Sequence, residues 1–256
     1  MIYKDYMRNH AVLPGRQGAL EKFLKQDYKG MRHKWNNGFN SNSEDALTWS
    51  CFDVLNNLPQ GKKVIALNEL LEDAYQGGNT FTFSTKDKIS IQIGKQYDGH
   101  TIKESTEVDA SIELPDKLIF FEAKLYSAVS AASPPEKRYD QIAKKIRIGF
   151  DISAKDNKEF FLVFLDIAPL EKLTRRKNKE SLKEGSSGFE DKWKSAWLYK
   201  YYKNGRNGSL KPLREVIKDI QFTDNHKLQE DAKHVANNMG WLTWSDLFKI
   251  VLRAMV

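Results

Sequence analysis

The chain has 256 residues, 40% of them hydrophobic, a formal charge of +7 and a single cysteine, Cys51. That length and apolar content allow a real buried core, as one large domain or a domain plus a subdomain. A lone cysteine excludes an internal disulfide and a cysteine-based zinc site, and without an 18-residue apolar run or a signal-peptide hydrophobic region the sequence reads as cytoplasmic, with no membrane partner.

Residues 17–33 carry Leu20, Phe23, Leu24 and Tyr28 at helical spacing after Pro14-Gly15, which predicts a short amphipathic helix. An Asn-rich loop over 36–43 leads to a second helix at 44–57, capped by Ser43 or Asn42. Its apolar stripe is Leu47, Cys51, Val54, Leu55 and Leu58. At 100° per residue Glu44 lies about 40° from the centre of that stripe and Asp45 about 140° away, so Glu44 faces inward. An inward Glu at a helix start has one reading as a partner of the helix dipole and another as a group that serves chemistry. Cys51, in the same stripe, reads as a packing thiol. Residues 69–76 suggest a short helix, 80–84 and 89–93 alternate as strands, and the polar stretch 94–105, with His100, reads as an exposed loop.

The next stretch organises the chain. Two alternating runs, 107–113 and 117–125, flank a turn in which Pro115 suits the first central position. A two-residue turn at Pro115-Asp116 sets Asp109 opposite Glu122, with Cβ atoms roughly 4.5–5.5 Å apart. Carboxylates that close repel unless a proton or a cation sits between them, and a divalent metal suits the place. Lys124, two residues past Glu122, points to the same face, where its ammonium can offset developing negative charge or position a water.

After the hairpin, Pro134-Pro135 opens a helix to about 148 with Tyr139, Ile142, Ala143 and Ile146 on its core face and Arg138, Gln141 and Lys145 on the other. The all-apolar run within 159–165 reads as a central strand covered on both faces. The remainder reads as helical. Residues 189–203 interleave Trp193, Trp197, Tyr199, Tyr201 and Tyr202 with lysines, a pattern that fits either base stacking or a core helix with a wet lysine face. Residues 210–220 form another helix. The last opens on a Thr243-Trp244-Ser245-Asp246 capping box and keeps Trp244, Leu247, Phe248, Val251, Leu252 and Met255 on one side, to be buried within the domain or against a second subunit. Between residues 170 and 215 there are 13 Lys/Arg against 6 Asp/Glu, the whole of the net charge, and that basic segment, with Arg175, Arg176 and Lys177, favours a polyanion.

Asp109 followed by Glu122-Ala123-Lys124 resembles the motif of the PD-(D/E)XK nuclease superfamily, with Val108 standing where the family's Pro would be. The resemblance covers about 44–166 and implies an α/β, restriction-endonuclease-like αβββαβ core, a mixed sheet flanked by helices, with an added helical C-terminal region. The domain division it suggests is a nuclease core over 1–168 and a basic, aromatic helical extension over 169–256, which either stands alone or packs on the core. It implies Mg²⁺, or Mn²⁺, held by Asp109, Glu122 and the Ala123 carbonyl, with Lys124 assisting hydrolysis of a phosphodiester. It also offers Glu44 as a third carboxylate near the metal and Gln141 as a residue near the substrate, although the position of Gln141 opposite the apolar stripe reads as a solvated face. The expected substrate is DNA, with RNA as the alternative. Two other classes remain open: a nucleic-acid-binding module of this fold without turnover, and a protein–protein adaptor or homodimer built on the C-terminal helices.

Overall fold

The computed structural model describes residues 1–26, 33–78, 81–125, 127–134, 138–174, 187–205, 208–221 and 226–256, with backbone alone for 187–192. Five strands, β1 (Ser90–Asp98), β2 (Ser105–Glu113), β3 (Lys117–Ala123), β4 (Glu159–Asp166) and β5 (Met239–Thr243), lie side by side in that order. The first three form an antiparallel meander, while β4 runs parallel to β3 and β5 parallel to β4. Each parallel pair needs a crossover. Helix α5 (Gln141–Lys155) makes the first, and α6 (Leu170–Thr174), α7 (Ser187–Asn204), α8 (Lys211–Ile217) and α9 (Leu228–Asn237) make the second. Before the sheet come α1 (Gln17–Leu24), α2 (His33–Asn37), α3 (Glu44–Asn57) and α4 (Gln60–Tyr75), and α10 (Trp244–Met255) follows β5.

The sheet is therefore covered on both sides, which is why β3 and β4 are apolar along almost their whole length. One core holds Phe52 and Leu55 of α3, Leu67 and Leu71 of α4 and Leu247 of α10 against Ile119, Phe121 and Phe161. The other holds Ile142 and Ile146 of α5, Tyr199 and Tyr202 of α7 and Leu213 of α8 against Phe120, Leu162 and Phe164. A satellite cluster of Leu20, Phe23, Leu24 and Trp49 packs α1 on the far side of α3.

Several sequence expectations are corrected. The helix expected at 17–33 ends at Leu24, and residues 27–32 lie outside the described ones. The short helix expected at 69–76 is a 16-residue helix that starts directly after Pro59. Residues 81–84 are not a strand: Asn68 occupies the Phe83 backbone with its side chain, accepting from the N–H at 2.6 Å and donating to the carbonyl at 3.0 Å. The loop expected from residue 94 instead continues β1 to Asp98, because Tyr97 has a core to enter. Helix α5 starts at Gln141, not at the prolines, with Asp140 accepting from the Ala143 N–H as its cap. The C-terminal region is not purely helical, since five buried residues form β5. The last helix opens on the predicted cap, Thr243 accepting from the Asp246 N–H, but Phe248, Leu252 and Met255 are 37%, 63% and 51% exposed, so half of its predicted stripe is not buried in this chain.

Two features of the meander place the site. The hairpin register runs Glu113–Leu118, Ile112–Ile119, Ser111–Phe120 and Ala110–Phe121 around a turn closed by the Leu114 N–H on the Lys117 carbonyl, as a two-residue turn requires. The other is a change of face. Ile91 and Ala110 pack into the first core, whereas Tyr97 and Val108, of the same parity in their strands, pack into the second. Gly94, at φ +61°, lies between the Ile93–Ala110 and Lys95–Val108 pairs, level with Asp109. That φ is one L side chains rarely adopt, so glycine suits the position, and a Cβ there would also stand 2.6 Å from the Lys34 ammonium and 3.0 Å from the Phe23 ring.

Candidate active site

Asp109, Glu122 and Lys124 come together at the open end of the hairpin. Asp109 Oδ2 accepts the Ala123 N–H at 2.8 Å, which ties the two strands just past their last ladder pair. Glu122 is fully buried, and Lys124 places its ammonium 2.6 Å from Glu122 Oε1. The backbone that carries this lysine is held on three sides. The Lys124 N–H donates to the Leu165 carbonyl at 2.8 Å, its carbonyl accepts the Trp244 indole N–H at 3.1 Å, and the next N–H, on Leu125, donates to Glu44. Helix α10, outside the region of resemblance, thus helps to fix the site.

Glu44 reaches the hairpin, as one of its two readings requires, but as an acceptor for the chain: one oxygen takes the Leu125 N–H and the other the Ser127 hydroxyl. It also faces Lys124. The dipole partner reading is too small for a residue with two long-range bonds. Asp45, expected to point away, joins the site instead. A pocket of about 170 Å³ is lined by Asn37, Asn40, Asn42, Ser43, Glu44, Asp45, Asp109, Ala123 and Lys124. The expectation failed because α3 is buried on two faces, toward the sheet and toward α1, so one apolar stripe does not decide what its first turn meets.

Lys145, expected on the wet side of α5, is buried instead. Its side chain is 1% exposed, its ammonium contacts Glu122 Oε2 and it donates to the Glu107 carbonyl at 2.8 Å. Helix α5 also lies between two layers, the sheet and α7 with α8, and ten of its 15 residues are buried. Gln141 is part of neither the pocket nor the lysine cluster; it holds the loop after β3, its N–H on the Ser130 carbonyl and its side-chain oxygen on the Ser130 N–H. Arg175, Arg176 and Lys177 lie outside the described residues. In α7 the two readings divide the aromatics between them: Tyr199 and Tyr202 are core, while Trp197 and Tyr201 are 45% and 38% exposed.

The electrostatics follow from this crowding. Burial pushes the Asp109 carboxyl up, but the Lys145 and Lys124 ammoniums and the Ala123 N–H outweigh it and hold Asp109 below the usual carboxylate range. Burial and then the Asp109 charge push Glu122 up, although both lysines pull the other way. Lys124 is held well above the usual lysine range: burial opposes its charge, but Glu122, Asp109 and Glu44 prevail. Asp45 is raised to about 6, by burial first and the Asp109 charge second. Around the pocket, Glu44, Asp45, Glu107, Asp109 and Glu122 face Lys34, Lys124 and Lys145, so acid is in excess.

Among the described residues no three His, Cys, Asp or Glu side chains come close enough to form a metal cage. The residues nevertheless fit a hard cation that keeps most of its water, which needs only one or two carboxylates. Each buried Glu122 oxygen meets one ammonium, and since a carboxylate oxygen can accept more than one contact, this carboxylate has acceptor capacity to spare. The acid excess also supplies the charge that a divalent ion would balance.

The Asp45 shift gives a pH dependence in metal-free protein. Its folded-state value lies above the unfolded one, so the folded state holds the extra proton and stability falls as pH rises from about 4 to 6. Asp45→Asn is expected to remove that slope, matching the wild type near pH 4 and exceeding it by roughly 1–3 kcal/mol at pH 8 in EDTA. Parallel urea-unfolding stabilities of the two proteins across this range would show instead that Asp45 is solvated.

No helix among the described residues is long and apolar enough to cross a membrane. Compared with protein-family models, curated proteins and solved structures, the chain gives no significant match.

Proposed function

We propose that this chain is a divalent-metal-dependent nuclease of the PD-(D/E)XK type that hydrolyses phosphodiester bonds in DNA. The observation that carries the reading is the convergence of Asp109, Glu122 and Lys124 beside an acid-rich pocket, in a cluster with buried charge far beyond what a hairpin end needs. The order α3, β1, β2, β3, α5, β4 supports the restriction-endonuclease-like αβββαβ core, with α4 as an insertion before β1. Asp109, Glu122 and the Ala123 carbonyl would hold Mg²⁺, or Mn²⁺ in its place. Bound there, the ion would neutralise phosphate charge and make a water easier to deprotonate. The protein's own part is positional and electrostatic. Lys124 sets a permanent positive charge at the pocket wall, where negative charge develops in hydrolysis. Asp109 is kept ionised by its two lysines, and Glu44 and Trp244 fix the backbone that aims Lys124. The basic segment and the exposed Trp197 and Tyr201 of α7 supply phosphate attraction and stacking surface for the substrate, with RNA as the alternative to DNA.

One observation favours a second reading. Glu122 is fully buried with an ammonium at each oxygen, as in an ion cluster that satisfies itself, and a nucleic-acid-binding module without turnover would have such a site. Incubating the purified protein with supercoiled plasmid in Mg²⁺ and in EDTA separates the two. Nicking or linearisation in Mg²⁺ alone supports the nuclease. Salt-dependent DNA binding with no cleavage in either buffer supports the module.

A further inference from the structure

Two lysines meet Glu122, and their settings differ. Lys145 rises from the middle of α5 with its side chain 1% exposed, contacts Oε2 and is anchored a second time by the Glu107 carbonyl of β2 at 2.8 Å. Lys124 follows the end of β3, contacts Oε1 at 2.6 Å and is one of the residues that line the pocket. One ammonium is held twice, between a helix and a strand; the other is also buried, its side chain 8% exposed, but belongs to a residue that lines the pocket.

From this asymmetry we infer that Lys145 is a positioning residue, the permanent counter-ion that clamps Glu122 through Oε2, leaving Oε1 to exchange between Lys124 and a divalent cation. The inference rests on the nuclease reading and gives its two lysines separate duties. A carboxylate between two mobile cations would have no fixed direction. Fastened at one oxygen it keeps the other on the Lys124 side, next to the pocket that Lys124 and Asp109 line, and a cation held there would leave Lys124 free to meet the substrate phosphate. A fixed Lys145 also supplies charge balance while Lys124 is away, so that Asp109 and Glu122 are never left as an uncompensated buried pair.

Charge and position predict opposite signs for one measurement. Removing a nearby positive charge should tighten binding of a divalent cation, whereas losing the clamp should weaken it. Mn²⁺ binding is to be titrated calorimetrically to the full-length wild type and to Lys145→Met. The expected result is binding weakened at least 10-fold in the variant. Equal or tighter binding would overturn the inference while leaving the nuclease reading intact, and a wild type that binds no Mn²⁺ would overturn both. If Lys145→Met does not fold, ¹⁵N-lysine NMR of the wild type decides: on adding Mg²⁺ the Lys124 ammonium should lose its protection from solvent exchange while the Lys145 ammonium keeps it. Loss of protection at Lys145 would refute the clamp.

Discussion

Lys124→Met is expected to lose about 3–5 kcal/mol of stability at pH 8, the usual cost of leaving one member of a buried ion pair without its partner. The variant keeps the length of the side chain, so little of that loss comes from packing. What remains is Glu122, with no exposed surface, beside an ionised Asp109 and a single lysine. The sign is consistent with the titration of Lys124 itself. A lysine raised above its unfolded value contributes its full stability at neutral pH and gives it up only when the pH passes through that raised value. In the variant Glu122 can relieve the strain by taking a proton, so the deficit should narrow as pH falls toward 5. A difference below about 1 kcal/mol in urea unfolding at pH 8 would place the pair in water-like surroundings, where ion pairs contribute little.

Asp109→Asn should cut Mg²⁺-dependent cleavage by at least about 10²-fold, the scale on which a single preorganised charge-stabilising group acts. The amide oxygen can still accept the Ala123 N–H that Asp109 Oδ2 accepts at 2.8 Å, so the hairpin end stays joined. Some stability goes with the charge, on the order of 1 kcal/mol, since Asp109 is held below the usual carboxylate range and its ionised form favours the fold. A folded variant with wild-type cleavage would take Asp109 out of the chemistry. A variant that loses DNA binding along with cleavage would point to a structural role.

What could be read from the sequence depended on how many sides of an element are covered. The hairpin was legible because two-residue turn chemistry and strand alternation fix the register, and that register brings Asp109 to the Glu122-Ala123-Lys124 strand end. The central strands were legible as apolar runs. Helices α3 and α5 were legible as helices, but each is buried on two faces, and a single stripe cannot say which polar residues the second face takes in. For Lys145 a signal existed: at 100° per residue it lies about 60° from Ile142 and about 40° from Gly149, inside a stripe that continues to Ile152. Centring the stripe on Tyr139 and Ile146 hid it. For Asp45 no comparable signal exists, because its place is set by how the first turn of α3 abuts the hairpin end. Strand β5 was hidden by its length, five residues whose pairing with β4 lies 77 residues away in the chain at Leu162–Met239. Its identity as a strand comes from a nonlocal partner rather than from a local pattern.

Sharing of a divalent cation by Asp109 and Glu122, beside the pocket that Asp109 lines at the start of α3, is tested most directly by anomalous scattering from a crystal soaked in Mn²⁺. The predicted result is a single strong peak roughly 2.0–2.3 Å from oxygens of both carboxylates, with Lys124 moved off Glu122 Oε1. A crystal with no peak in that pocket and Lys124 still paired with Glu122 would contradict it.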